Sequence, residues 1–171
     1  MTQNRIPALA FVGRSGCGKT TLLEALIPLL QAAGWRLSLI KHTHHATVRL
    51  EDPASDTARY RQAGVAQVLL VTPSLLVHTR QLDEEIRLET LLTYLQDTDL
   101  VLIEGYKSVP WLPKIEVLRA AHHPQPLPEL QNRIAYVTDV PGLTDAPCFA
   151  FSDLEALRDF ISAFAQGLAA R

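Results

Sequence analysis

The sequence predicts an α/β fold, a mostly parallel central sheet with helices on both faces. Three observations carry this expectation. Short aliphatic runs recur along the chain, among them Ala8-Leu9-Ala10-Phe11-Val12 and Leu100-Val101-Leu102-Ile103, and such runs suit strands buried on both faces. Segments with helical spacing of apolar residues separate several of them, the alternation that builds parallel sheets. Between the first run and the first helical segment stands Gly13-Arg14-Ser15-Gly16-Cys17-Gly18-Lys19-Thr20, which satisfies G-x-x-x-x-G-K-[ST] at every required position.

That loop needs its spacing. Glycines let the backbone curl so that successive N–H groups point at phosphate oxygens. Lys19 can then reach the β- and γ-phosphates and the Thr20 hydroxyl can ligate Mg²⁺. Strand, glycine loop and helix follow in the required order, so we expect a P-loop NTPase fold. The whole of 1–171 is expected to form a single nucleotide-binding domain.

Composition narrows the classes. An apolar share of 47% and a charged share of 20% fit a soluble globular chain. A formal net charge of −2 gives no general attraction to nucleic acid or to a membrane surface. Met1 to Arg5 lack the apolar core of a signal peptide, no stretch approaches a membrane span, and two cysteines suggest no disulfide framework. A cytoplasmic protein with free thiols is expected.

The elements follow in order. Leu22, Leu23, Leu26, Ile27, Leu29 and Leu30 mark the first helix, Gly34 its stop, and Pro28 predicts a kink rather than an end. Leu37 to Ile40 read as a strand that delivers Lys41-His42-Thr43-His44-His45 at its C-terminal end, where ligands bind in open α/β sheets. H-x-H-H is not a standard zinc spacing, which leaves a solvated loop or a Lys/His loop that contacts an anion. Ser55 to Ala63 form a short helix closed by Gly64. Gln67 to Val71 and Leu75 to Val77 are strands with a turn at Pro73. A helix is expected from about Leu82 to Leu95, with Asp83, Glu84 and Glu85 in its first turn.

Glu104 ends the strand Leu100–Ile103 and is the expected Mg²⁺ partner of Thr20, whereas Asp99 starts that strand and should lie at the wrong edge of the sheet. Lys114 to Leu118 and Ile134 to Val137 are further strands, with a proline-rich stretch between them. Ser152-Asp153-Leu154-Glu155 reads as a capping box before a last amphipathic helix.

Several stretches together resemble the molybdopterin-guanine dinucleotide biosynthesis protein B family, a GTP-binding adaptor group in molybdenum cofactor assembly. They are Ser15 to Thr21, Ile40 to His45, Asp56 with Arg59 and Ala63-Gly64, Glu104-Gly105-Tyr106-Lys107, and Pro113-Lys114-Ile115-Glu116-Val117. The resemblance runs from about Ala8 to Asp139. It implies a GTP-binding protein, often dimeric, with weak GTPase activity, that assists the guanylyltransferase joining GMP to molybdopterin. Carried over by position, it implies that Gly13 to Thr21 bind GTP phosphates through Lys19, that Thr20 and Glu104 serve Mg²⁺, and that Asp56 is a second Mg²⁺ or γ-phosphate contact. Lys41, His42, Lys107 and Lys114 become candidates for phosphate or pterin contact. No N-K-x-D sequence is present; Asp139 could accept from guanine's N1–H and exocyclic amine, or simply end its strand. The rival reading is a small-molecule or nucleotide kinase using ATP, for which the stretch from Arg119 to Arg133 would be the lid.

Overall fold

The computed structural model describes residues 6–43 and 51–169; Met1 to Arg5, His44 and His45 lie outside the described residues. The chain falls into two compact units, 1–43 with 95–171, and 44–94.

The larger unit is built on β1 (Ala8–Val12), α1 (Lys19–Ala32), β2 (Leu37–Lys41), β5 (Leu100–Glu104), β6 (Lys114–Leu118), β7 (Arg133–Thr138), β8 (Cys148–Phe149) and α4 (Leu154–Ala169). The smaller unit supplies α2 (Asp56–Gln62), β3 (Gln67–Val71), β4 (Leu76–Arg80) and α3 (Leu88–Leu92).

Six parallel strands in the order β2-β5-β1-β6-β7-β8 form the sheet of the larger unit. The order branches at β1: β5 and β2 lie on one side, β6, β7 and β8 on the other. In such a sheet the crevice at the C-terminal strand ends beside that branch is the ligand position. Alternate residues of the central strands, Leu9 and Phe11, Leu100 and Leu102, Ile115 and Val117, Ala135 and Val137, form one core with Leu22, Leu26 and Leu30 of α1 and Leu157, Ile161 and Ala165 of α4. Both helices of this unit therefore cover the same face. Around Lys114 the opposite face is closed by irregular chain, since that side chain reaches the carbonyls of Val109, Leu112 and Gln131.

α1 runs unbroken through Pro28, as its apolar pattern predicts. It stops where Gly34 takes φ 93°, with Gly34 N–H on Gln31 O and Trp35 N–H on Leu30 O. That double bond is a Schellman closure, which requires a left-handed residue at its centre. α2 begins at Ser55, whose hydroxyl accepts from Ala58 N–H, and closes with the same pair of bonds at Gly64 and Val65. β3 and β4 form an antiparallel hairpin.

Two expectations change. The helix expected from 82 to 95 contracts to α3, Leu88–Leu92, so Asp83 to Glu85 precede it rather than occupy its first turn. Within α3 only Leu88 is buried, and Leu82 stays 45% exposed. Helices this short gain little from propensity and depend on burying an apolar face. The capping box also differs: Ser152 Oγ pairs with Asp153 Oδ1, while Asp153 Oδ2 accepts from Ala150 N–H. Asp153 is thus the residue that enters α4, its carbonyl accepting from Leu157 N–H.

Candidate functional site

The loop between β1 and α1 is held by sterics and by its own lysine. A Cβ on Gly13 would lie 2.4 Å from Val117 O and 2.8 Å from Cys17 Sγ, so only glycine fits against β6 there. Gly18 takes φ 93° as the N-cap of α1, and its carbonyl accepts the first helical bond from Leu22 N–H. Lys19 Nζ folds back over the loop, donating to Arg14 O at 2.9 Å and Gly13 O at 3.2 Å. Its ammonium thereby sits on the loop carbonyls just before α1, whose N-terminal dipole also favours an anion. Arg14 and Ser15 are exposed at the loop tip, and Cys17 is fully buried beneath it.

Parallel register brings the next residues together. Phe11 and Lys41 both lie opposite Glu104, in β1 and β2 respectively. At the C-terminal end of these strands Thr20 Oγ1 donates to Glu104 Oε2 at 3.2 Å. Lys41 Nζ lies 3.2 Å from the same oxygen and donates to Thr20 Oγ1 at 3.5 Å. A hydroxyl and a carboxylate with a cation bridging them fit a hard divalent ion, whose other ligands come from phosphates and water. Among the described residues no cluster of three or more His, Cys, Asp or Glu side chains could hold a metal unaided.

His42 N–H donates to Glu104 O at 2.9 Å, and its ring packs 4.4 Å from that of Tyr106. Lys107 is exposed in the turn that follows. Asp99 sits at the opposite end of β5, as expected, and Arg36 holds its carboxyl down at about 2 through side-chain and backbone hydrogen bonds. Asp56 opens α2 in the smaller unit, exposed and 3.4 Å from Arg59.

A model of the family described as molybdopterin guanine dinucleotide synthesis protein B matches residues 8–139. The chain belongs to this family. The molybdopterin-guanine dinucleotide biosynthesis adapter protein of Escherichia coli is 39% identical over 163 residues, 91% of this chain and 91% of that protein. The protein of the same name from Haemophilus influenzae is 37% identical over 161 residues, 92% and 89% of the two chains. The crystal structure of a MobB protein homolog from Bacillus stearothermophilus shares the fold, with a TM-score of 0.72 at 24% identity over 94% of this chain and 98% of that one. The family is the one the motifs resemble, and the matched stretch contains all of them.

Lys114 departs from what the family resemblance implies. Its side chain is fully buried, and Nζ donates to Val109 O at 2.5 Å, Leu112 O at 2.8 Å and Gln131 O at 3.0 Å. All three ammonium protons are spent on backbone, so Lys114 is a cross-link between β6 and its neighbouring loops rather than a phosphate or pterin contact. Burial lowers its pKa. Two residues on, Glu116 is also fully buried; it accepts from Leu127 N–H at 2.6 Å and from Arg133 Nε at 2.8 Å. Burial pushes its carboxyl up, against the pull of those bonds.

The kinase lid loses its basis in the same geometry. Arg119 follows the C-terminal end of β6, whereas Arg133 opens β7 at the other end of the parallel sheet, pinned between Glu116 and Asp145. Two arginines so placed cannot close over one phosphate chain. Asp139 follows β7, and its Oδ1 accepts from Ala120 N–H at 2.6 Å. Sequence reasoning missed what Arg119 touches. It stacks on Phe151 and neighbours Gly18, residues that nothing in the linear order joins. Both cysteines are free, and among the described residues no helix is long and apolar enough to cross a membrane.

Proposed function

We propose that this family member binds GTP with Mg²⁺ and acts as an adapter in molybdopterin guanine dinucleotide biosynthesis, the role its relatives carry in their names. Its partner on this reading is the guanylyltransferase that attaches GMP to molybdopterin, and the compartment is the cytoplasm. The observation that carries the reading is the Thr20–Glu104–Lys41 cluster, assembled by register beside a complete phosphate loop.

In that site Gly13 to Thr21 wrap the phosphates, and Lys19 moves from its carbonyls to the β- and γ-oxygens. Thr20 and Glu104 would hold Mg²⁺, which would supply charge neutralisation to the phosphates. Lys41, beside Glu104 and Thr20, would supply positive charge next to the γ-phosphate. His42 and Lys107 line the approach for pterin or phosphate, and Asp139 stands at the nucleoside end of the site. Catalysis of hydrolysis is by positioning and charge alone and is slow, with Arg14 at the exposed loop tip the candidate arginine, in cis or across a dimer.

The homodimer forms through the β3–β4 hairpin. Leu69, Val71, Leu75 and Leu76 are 58–70% exposed there, and a two-stranded hairpin is marginal in water unless its apolar face is covered. Sedimentation of the wild type as a monomer at micromolar concentration would remove this part.

The first test is calorimetry of GTP and ATP with Mg²⁺ on the wild type and on Lys19→Ala. GTP preference in the wild type and loss of binding in the variant are expected. Tighter binding of ATP than GTP by the wild type would sink the reading.

A further inference from the structure

Across β1 from the Thr20–Glu104 pair, β6 and β7 end in a second assembly that the phosphate chemistry does not use. The Arg119 guanidinium lies 3.6 Å from the centroid of the Phe151 ring. Its Nη1 is 3.8 Å from Asp139 Oδ2, and the other oxygen of that carboxylate takes Ala120 N–H. A Cβ on Gly18 would lie 3.6 Å from Arg119 Nη2, 3.7 Å from Nε and 3.8 Å from Phe151 Cε1. The guanidinium therefore lies on an aromatic face, beside the last glycine of the phosphate loop. Its side chain nevertheless stays 38% exposed.

The orientation of a bound nucleotide connects the two assemblies. Thr20, Glu104 and Lys41 gather over β1, β5 and β2, so the metal-binding end of a triphosphate belongs on that side. The nucleoside end then extends over β6 and β7, where Arg119 and Asp139 stand. A phosphate would have to pull Arg119 away from Asp139. A planar base would not, because it approaches perpendicular to the guanidinium plane. Arginine planes stack on bases as well as on aromatic rings, and stacking does not compete for the N–H groups on the Asp139 side.

We infer that Arg119 is a base-binding residue, a stacking shelf for the nucleobase, with Phe151 beneath it as the positioning residue. The inference rests on the proposal that nucleotide occupies the phosphate loop. It assigns Arg119 to the base rather than to the phosphates.

The test compares GTP, GDP and inorganic triphosphate, each with Mg²⁺, by calorimetry on the wild type, Arg119→Ala, Arg119→Lys and Phe151→Leu. Thermal unfolding confirms that each variant is folded. Losing a base stack should weaken GTP and GDP by roughly ten- to a hundredfold in Arg119→Ala. Inorganic triphosphate, which has no base, should change by less than about twofold, because its binding is confined to the phosphate loop. Arg119→Lys keeps the charge without the plane and should resemble the alanine variant. Phe151→Leu should fall between them and the wild type, again only for ligands with a base. Equal loss of triphosphate and GTP in Arg119→Ala overturns the inference, as does full rescue by lysine or unchanged GTP binding. If Arg119→Ala does not fold, the lysine and Phe151→Leu variants decide by the same comparison. Failure of the wild type to bind GTP at all overturns the nucleotide reading and this inference with it, whereas the other adverse outcomes leave that reading standing.

Discussion

Replacing Lys114 by methionine separates a structural lysine from a ligand-binding one. The methionine keeps most of the apolar stem and deletes the ammonium. Three backbone acceptors, Val109 O, Leu112 O and Gln131 O, then lose their donor. An orphaned buried acceptor costs about 1–3 kcal/mol. Two of these three bonds are only part-buried, so water can recover some of the loss. Removing a buried charge also relieves a desolvation penalty of several kcal/mol, to about the extent that the pairing had offset it. Taking about 1 kcal/mol per acceptor gives a net loss of about 3 kcal/mol, which for a chain of this size lowers Tm by about 6–12 °C. The assay is thermal unfolding together with GTP calorimetry well below the transition. A lower Tm with unchanged GTP affinity is expected. A Tm within about a degree of the wild type, combined with a tenfold loss of GTP affinity, would refute the cross-link and restore Lys114 to the ligand site. The pH dependence provides an independent check. Burial lowers the folded-state pKa of Lys114 below 10.5, so the unfolded chain binds more protons between the two values. The contribution of Lys114 to stability therefore rises with pH through that alkaline window, and the methionine variant should lack the rise.

Three further outcomes are expected. Gly13→Ala drives a methyl into Val117 O and Cys17 Sγ and should cost about 1–3 kcal/mol in urea unfolding, with nucleotide binding lost beyond what stability explains; a neutral effect would mean that the loop is not held against β6. Burial pushes the Tyr136 phenol up to about 12, with Arg133 opposing and Asp145 adding to the rise. The unfolded chain loses that proton first, so the wild type should lose up to about 3 kcal/mol between pH 10 and 12, and Tyr136→Phe should flatten this part of the profile. Glu104→Gln leaves Thr20 a neutral partner in place of the carboxylate; GTP binding should lose most of its dependence on Mg²⁺, and an unchanged Mg²⁺ titration would take Glu104 out of the metal site.

The larger unit was legible wherever the signal is local. The phosphate loop is one contiguous pattern, the central strands are uninterrupted aliphatic runs, and Gly34 and Gly64 close helices through backbone bonds within a few residues. Glu104 could be placed at a strand end because strand ends are local too. The 82–95 segment could not be read this way. Its apolar spacing permits a long helix, but what it buries decides whether one forms, and Leu82 finds no cover.

By itself, then, the sequence determined the α/β class, the glycine-rich loop between β1 and α1, the strand that carries Glu104 and the family. Tertiary structure alone decided which charges gather beside that loop and which are buried. Lys41 and Lys114 are both lysines at strand ends, yet register sets Lys41 beside Glu104 and Thr20, while loops from two directions bury Lys114 against carbonyls. Glu116 and Arg133, and Arg119 and Gly18, likewise meet only because β6 lies between β1 and β7. The reason is physical: helix caps and turns are set by neighbours along the chain, but a side chain's charge, burial and partners depend on strand order and register, which arise only when the whole sheet assembles.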